Sequence, residues 1–479
     1  MSSRKQKELI RAYYENKIGR RELLERMAKI GVGAAATGFL LNATATKTLA
    51  AGGPDFKKFK GKSIKLLMNK HPYNDAIMKN LDNFKSMTGL NVTSDVFPED
   101  VYFDKVTTAL ASKGSQYDAF MTGAYQTWKY GPARQIVDLN QFIKDPKVTS
   151  PTYNWNDVTA GLRASDAWDG KAGSQLGGPG AKQWAIPLGF ELNNIAYNKR
   201  ILGELGIEPP KNLPDLIEKA AKISAAGKGY YGVGVRGSRS WATIHPGFLS
   251  AYSNYGLKDF TMKGGKLTPA MNTKESKEFH KMWIDMIQRG GPKNWTSYTW
   301  YEVGNDLGAG NSAMIFDADI LGYFQNSGDT KEKGNLAYMP FTANPAATKP
   351  TPNVWIWSLA MSQFSKMKEA AWFFIQWATG TENCTFGAVN ADLIDPVRDS
   401  TWKVPEFQKR LESYPGYLNQ FQKSIGQSQI YFTPQQLFPE FTTDWAAMLQ
   451  QMYAKEIPVD EGLDKLAAGL QRKLREVGI

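Results

Sequence analysis

Short apolar runs alternate along this chain with stretches whose apolar residues recur every three or four positions. The run SIKLLM at 63–68 has the length of a buried strand. Residues 75–88 then set Ile77, Leu81, Phe84 and Met87 on one helical face, and Gly89 stops the helix. Residues 92–97 read as a second strand. Residues 99–113 read as a helix carrying Phe103, Val106 and Leu110, and 117–121 as a third strand. Strand, helix, strand, helix, strand at this spacing predicts a parallel α/β sheet. Such sheets carry ligand loops at the carboxyl ends of their strands, here 69–74, 98–102 and 122–128.

The same rhythm continues downstream. Helices are expected over Leu213–Ala225, over 272–289 with Phe279, Met282, Trp283, Met286 and Ile287 inward, and over 366–379 with Ala370, Phe373, Phe374 and Trp377 together. A C-terminal helix, capped by Asp460, presents Leu463, Leu466, Ala467, Leu470 and Leu474. The glycine- and proline-rich patches at 170–180 and 342–352 read as surface loops.

Residues 1–50 break the pattern. They hold ten Lys/Arg against four acids, half of the net charge of +12. The basic stretch ends at Lys29, and an uncharged, weakly apolar run follows at 30–46. It is shorter than the roughly 20 residues of a spanning helix. Small residues at Ala43-Thr44-Ala45 or near Leu49-Ala50-Ala51 offer cleavage sites, which completes the layout of an export signal over 1–50. Arg20-Arg21 before an apolar pair resembles a twin-arginine motif, with Gly19 and Glu25 off the usual pattern. A periplasmic protein, with its leader removed near 46–52, is the expectation.

Composition narrows the chemistry. Hydrophobic residues at 42% and charged residues at 22% fit a globular protein of more than one domain in 479 residues. The remaining +6 is spread over a large body, which argues against nucleic acid as a partner. Cys384 is the only cysteine, so neither an intrachain disulfide nor a cysteine zinc cage is expected. His71, His245 and His280 lack metal-ligand spacing. Aromatic residues at 12% suggest flat apolar surfaces with polar handles.

Motifs for catalysis or cofactors fail on context. Gly232, Gly234 and Gly237 have dinucleotide-binding spacing but follow a helix and lie in a strand-like run. Gly61-Lys62-Ser63 lacks the earlier glycine of a phosphate loop, where Phe56 stands. Asp317 and Asp319 begin like a calcium loop, but Leu321 and Gly328 occupy its fifth and twelfth positions. No nucleophile elbow or zinc-protease motif occurs. No cofactor, metal or catalytic residue is expected.

Several blocks resemble the family-1 extracellular solute-binding proteins of ABC importers. They are QYDAFM at 116–121 with Gly131 and VDLN at 137–140, WAIP at 184–187 with NIAYNK at 194–199 and LGIEPP at 205–210, and GNSAMIF at 310–316. WSLAM at 357–361 with KEAAWFFI at 368–375, and PVDEGLD at 458–464, complete the set in the family's order. Trp355-Ile356 departs from it, since bulk stands where the family often has two glycines. The resemblance implies a periplasmic-binding-protein type II-like α/β fold, two lobes with a ligand cleft between them. One lobe would comprise 55–192 and 358–397, the other 193–357 and 398–479.

The same resemblance directs attention to residues bordering such a cleft. Tyr125 and Trp128 follow a strand end in a loop, and either bind ligand or pack on their own lobe. His71 and Asn74 lie in the first strand-to-helix loop, as ligand contacts or as turn and cap residues. Glu191, beside the first presumed crossing at 188–194, binds hydroxyls or bridges the lobes. Arg236, Arg239 and Trp241 cluster as a hydroxyl-reading group or a surface patch. Asp317 and Asp319 end a strand-like run at 313–316. Trp355 and Trp357 straddle the second crossing and are expected to point to opposite faces, so that one indole meets ligand. Arg398 follows Asp395-Pro396-Val397, where the family often places an arginine near the cleft.

The leading expectation is a periplasmic, monomeric carrier that takes a carbohydrate (sugar, oligosaccharide or polyol) and delivers it to the membrane permease subunits of an ABC importer. A secreted carbohydrate-active enzyme, or the same fold holding a polyamine or ferric ion, is the alternative.

Overall fold

The structure, a computed structural model, describes residues 53–479 and 20–29, together with Lys5, Glu8, Leu9 and Ala12. The candidate cleavage segments at 43–45 and 49–51, and the apolar run at 30–46, lie outside the described residues. Arg20–Ala28 is helical. No described helix is long and apolar enough to cross a membrane.

Eight described strands form one central sheet. They are β1 (Ser63–Asn69), β2 (Asn91–Phe97), β3 (Ala119–Gly123), β4 (Ile186–Asn198), β5 (Tyr231–Gly234), β6 (Ser312–Ala318), β7 (Leu336–Met339) and β8 (Val354–Met361). Their order is β2-β1-β3-β8-β4-β6-β5, with β7 also pairing β4. As the apolar runs predict, β1 lies parallel to β2 and β3, and β6 lies parallel to β5. The long β4 is antiparallel to its neighbours and changes them midway. Ile186 to Leu192 pair with β8, while Asn193 to Asn198 pair with β6 and β7. The sheet is thus two half-sheets sharing one strand. β4 is buried along nearly its whole length, which explains its dense apolar sequence.

Helices cover both halves. Those used below are α1 (Pro72–Met78), α2 (Leu81–Thr88), α3 (Glu99–Ala111), α4 (Ala124–Tyr130), α5 (Leu213–Ala225), α6 (Lys274–Gly290), α7 (Asp319–Ser327), α8 (Lys368–Ala378), α9 (Tyr417–Ser424), α10 (Phe438–Tyr453) and α11 (Val459–Glu476). The bounds of α5 are those read from the sequence. The single helix expected over 75–88 is instead α1 and α2. Asn80 leaves the helical conformation at φ −110° and ψ 11°, and its side-chain amide bonds Asn383 across 2.8 Å. Asp460 is not the cap of α11. Pro458 holds that place, and Asp460 sits in the first turn, paired with Lys281 at 3.0 Å. Helix α10 packs against both α4 and the turn Trp241–Thr243, so it touches both halves.

Two glycines let aromatic rings approach the sheet. A Cβ on Gly189 would lie 2.3 Å from the Tyr73 ring, and one on Gly123 would lie 2.2 Å from the Trp355 indole. Neither glycine has positive φ, so the requirement is for space.

Candidate functional site

Where β4 and β8 run side by side, Trp355 lies opposite Glu191 and Trp357 opposite Gly189. Glu191, Trp355 and Trp357 all border one cavity. Both indoles therefore face it, which corrects the expectation of opposite faces. Residues two apart in a strand share a side, and the two rings stand at 80° with centroids 5.2 Å apart.

Glu191 Oε1 accepts a hydrogen bond from Trp357 Nε1 at 2.9 Å. Burial pushes the carboxyl up to about 8, against the opposing pull of the Arg236 charge and this bond. At neutral pH it is mostly a neutral acid, able to donate as well as accept.

Two histidines border the cavity from different elements. His71 precedes α1 as its N-cap, and its Nδ1 accepts from Tyr73 N at 3.1 Å. A backbone amide only donates, so the ring proton belongs on Nε2, 3.8 Å from Glu191 Oε1. Burial lowers its pKa to about 3, and the ring is neutral. His245 Nε2 lies 3.3 Å from Arg236 Nη1. A guanidinium also only donates, which puts the His245 proton on Nδ1, a buried atom with no hydrogen-bond partner among the described residues. Burial, then the nearby Arg236 charge, hold its pKa well below the usual value.

Arg236, just past β5, is nine-tenths buried and grips Asp317 by two bonds, Nε to Oδ2 at 3.0 Å and Nη2 to Oδ1 at 2.7 Å. Asp317, at the end of β6, is fully buried behind it and orients the fork. Trp241 closes one wall, its ring 5.3 Å from that of Trp355 at 32°.

Six sequence candidates thus meet at the cavity: His71, Glu191, Arg236, Trp241, Trp355 and Trp357. The other seven do not border it. Tyr125 and Trp128 are not in a loop but in α4. Tyr125 stacks on Phe438 at 4.3 Å, and Trp128 packs on Phe438 and Trp168. Asn74 is buried in α1, bonded to Asp75. Arg239 is exposed. Asp317 stands behind Arg236. Asp319, at the start of α7, accepts from Leu192 N at 3.0 Å and from Gln420. Burial raises it to about 7, and it shares a hydrogen bond with buried Asp395, itself held high by burial and by Asp319. Arg398 gives its donors to the carbonyls of Thr379, Tyr153 and Asn154 at 2.6–2.8 Å.

Sequence reasoning missed Glu99, His245, Trp300, Ile320 and Leu321, which complete the lining. Glu99 lies inside the expected loop at 98–102, and His245 is one of three histidines. Trp300 has no local signal.

Among the described residues no group of three or more His, Cys, Asp or Glu is placed to hold a metal. The arrangement suits a small neutral molecule rich in hydroxyls. Indoles cover its C–H surface, while N–H donors and carboxyls meet hydroxyls that both donate and accept.

Comparison with known proteins agrees with this reading. A family model described as bacterial extracellular solute-binding protein matches residues 70–383. The erythritol/L-threitol-binding protein of Mycolicibacterium smegmatis is 39% identical over 446 residues, 91% of this chain and 93% of that protein. Among solved structures, a mannitol-bound ABC transporter solute-binding protein of Agrobacterium vitis superposes with a TM-score of 0.72 at 22% identity, covering 87% of this chain and 99% of the other. A ribitol complex from Agrobacterium radiobacter gives 0.72 at 19% identity, with 86% and 98% covered. These two likenesses establish a common fold of two α/β lobes.

Proposed function

This chain belongs to the family of bacterial extracellular solute-binding proteins, and from that premise we propose that it captures a small polyol and hands it to the permease subunits of an ABC importer. The observation that carries this reading is the cavity itself. Indoles line it beside groups that between them donate and accept hydrogen bonds, the pairing a polyol needs. The named ligands of the M. smegmatis and A. vitis proteins, erythritol or L-threitol and D-mannitol, support the same class.

The ligand lies between the lobes, and closure around it is a hinge motion about β4 and β8. The partner change of β4 between Leu192 and Asn193 supports a first lobe boundary there. The register shift of β8 between Trp357 and Ser358 supports the second. The protein works outside the cytoplasm as a monomer, its leader removed near 46–52 after twin-arginine export, and it leaves its ligand chemically unchanged. A buried arginine at the site disfavours a polyamine, and among the described residues no tyrosine borders the cavity to hold ferric ion.

A thermal-shift panel tests the proposal, since a ligand bound only by the native state raises the melting temperature. Erythritol, threitol, ribitol or mannitol should raise it, while spermidine and ferric citrate leave it unchanged. Mass spectrometry of the recovered polyol should return the starting compound. A shift confined to the amine or the metal, or a converted polyol, overturns the reading.

A further inference from the structure

We infer that Trp355, seated on Gly123, sets the shape limit of this site, so that it accepts open-chain polyols and rejects pyranose rings. The inference rests on the polyol reading above and adds a residue that enforces it.

Three geometric facts carry it. First, the outer edge of the Trp355 indole lies so close to β3 that a Cβ on Gly123 would stand 2.2 Å from Cη2 and 2.5 Å from Cζ2. Two further rings pack against it. The His245 ring stacks on it at 5.2 Å and 29°, and Trp241 lies at 5.3 Å. With Tyr125 at 5.4 Å and only 3% of its surface exposed, the indole is tightly packed where it sits. Second, the Trp241 and Trp355 rings, tilted by 32° to one another, stand too close for a sugar ring to lie between them. A sandwich needs two contacts of about 3.5–4.0 Å, hence about 7–8 Å between planes, against a centroid separation of 5.3 Å. Third, Trp355 and Trp357 meet at 80°. A flat ring laid on one indole runs edge-on into the other, whereas a flexible carbon chain follows the corner and touches both.

Calorimetry on the full chain tests this, with erythritol and ring-locked methyl α-glucoside as probes and melting curves alongside. Wild type should bind erythritol at least a hundredfold more tightly than the glucoside. Trp355→Leu should lose at least tenfold in erythritol affinity and narrow that ratio by at least tenfold. Gly123→Ala drives the indole into the cavity and should weaken erythritol while leaving the glucoside excluded. It also supplies the test should Trp355→Leu fail to fold. Equal binding of both probes by wild type, or an unchanged ratio in Trp355→Leu, overturns the inference while leaving the polyol reading intact. So does wild-type erythritol affinity in Gly123→Ala. Failure of wild type to bind any polyol removes the reading and the inference together.

Discussion

Trp357 Nε1 and Glu191 Oε1, 2.9 Å apart, tie the two crossing strands together at the cavity wall. Because burial lifts the Glu191 carboxyl to about 8, the bond is made to a neutral acid at pH 7. Glu191→Gln should therefore keep ligand affinity within about threefold at pH 7, whereas Glu191→Ala should lose about ten- to a hundredfold. Ligand burial favours the protonated form further, so wild-type affinity should fall as pH rises through 8, and Glu191→Gln should be flat. Calorimetry between pH 6 and 9 checks both.

The Arg236–Asp317 fork is a fully enclosed ion pair. Breaking it by Asp317→Asn leaves a buried charge poorly compensated and should cost about 3–5 kcal/mol. The double change Arg236→Met with Asp317→Leu should recover most of that stability while ligand binding stays lost. Urea denaturation and calorimetry separate the two effects.

Arg398 offers a contrast. Its bonds go to three carbonyls, and its guanidinium lies over the Tyr153 ring at 4.8 Å. Arg398→Met should cost about 3 kcal/mol through orphaned buried carbonyls, with affinity in the folded fraction unchanged. Arg236→Met should lose affinity. Melting curves and calorimetry on both variants make the comparison.

Asp166 accepts a hydrogen bond from Ser358 Oγ at 2.5 Å, yet burial raises its carboxyl to about 7. The native state holds this proton more tightly than the unfolded chain, whose aspartate titrates near 3.9. The stability it contributes is full below about pH 4 and is lost as pH rises through 7. Asp166→Asn keeps an acceptor for Ser358 and should remove that decline. Above pH 7 it should exceed wild type by at most about 4 kcal/mol, since every tenfold difference in proton affinity between the folded and unfolded chain is worth about 1.4 kcal/mol. Melting curves from pH 4 to 9 decide it.

The strand–helix rhythm was readable because β1, β3 and β6 are buried apolar runs and α5, α6 and α8 carry clean helical periodicity. Six of the thirteen candidate residues reach the cavity; His71 and Arg236 lie just past the ends of β1 and β5, while Glu191, Trp355 and Trp357 lie inside the two crossing strands. Those that did not, such as Tyr125, Asp319 and Arg398, share the composition and placement of those that did. What separates them is the side of a helix turn that tertiary packing selects, which leaves no mark in one dimension. Glu99, His245 and Trp300 converge from three remote segments, and no local pattern announces such a meeting. Trp355 and Trp357 are a different case, because strand periodicity by itself implies that they share a face.

Strand β8 lies between β3 and β4 although β5, β6 and β7 precede it in the chain. A ribosome therefore delivers β1, β2 and β3 long before the strand that covers the inner edge of β3. Until residue 361 has emerged, that edge and the facing edge of β4 remain open to any extended peptide nearby. The amino-terminal half cannot finish folding as it is made, and its completion waits on one long-range closure. Chains released before β8 are sticky fragments with two unguarded strands, and a helper that masks those edges during synthesis would act on this protein at one definable interval.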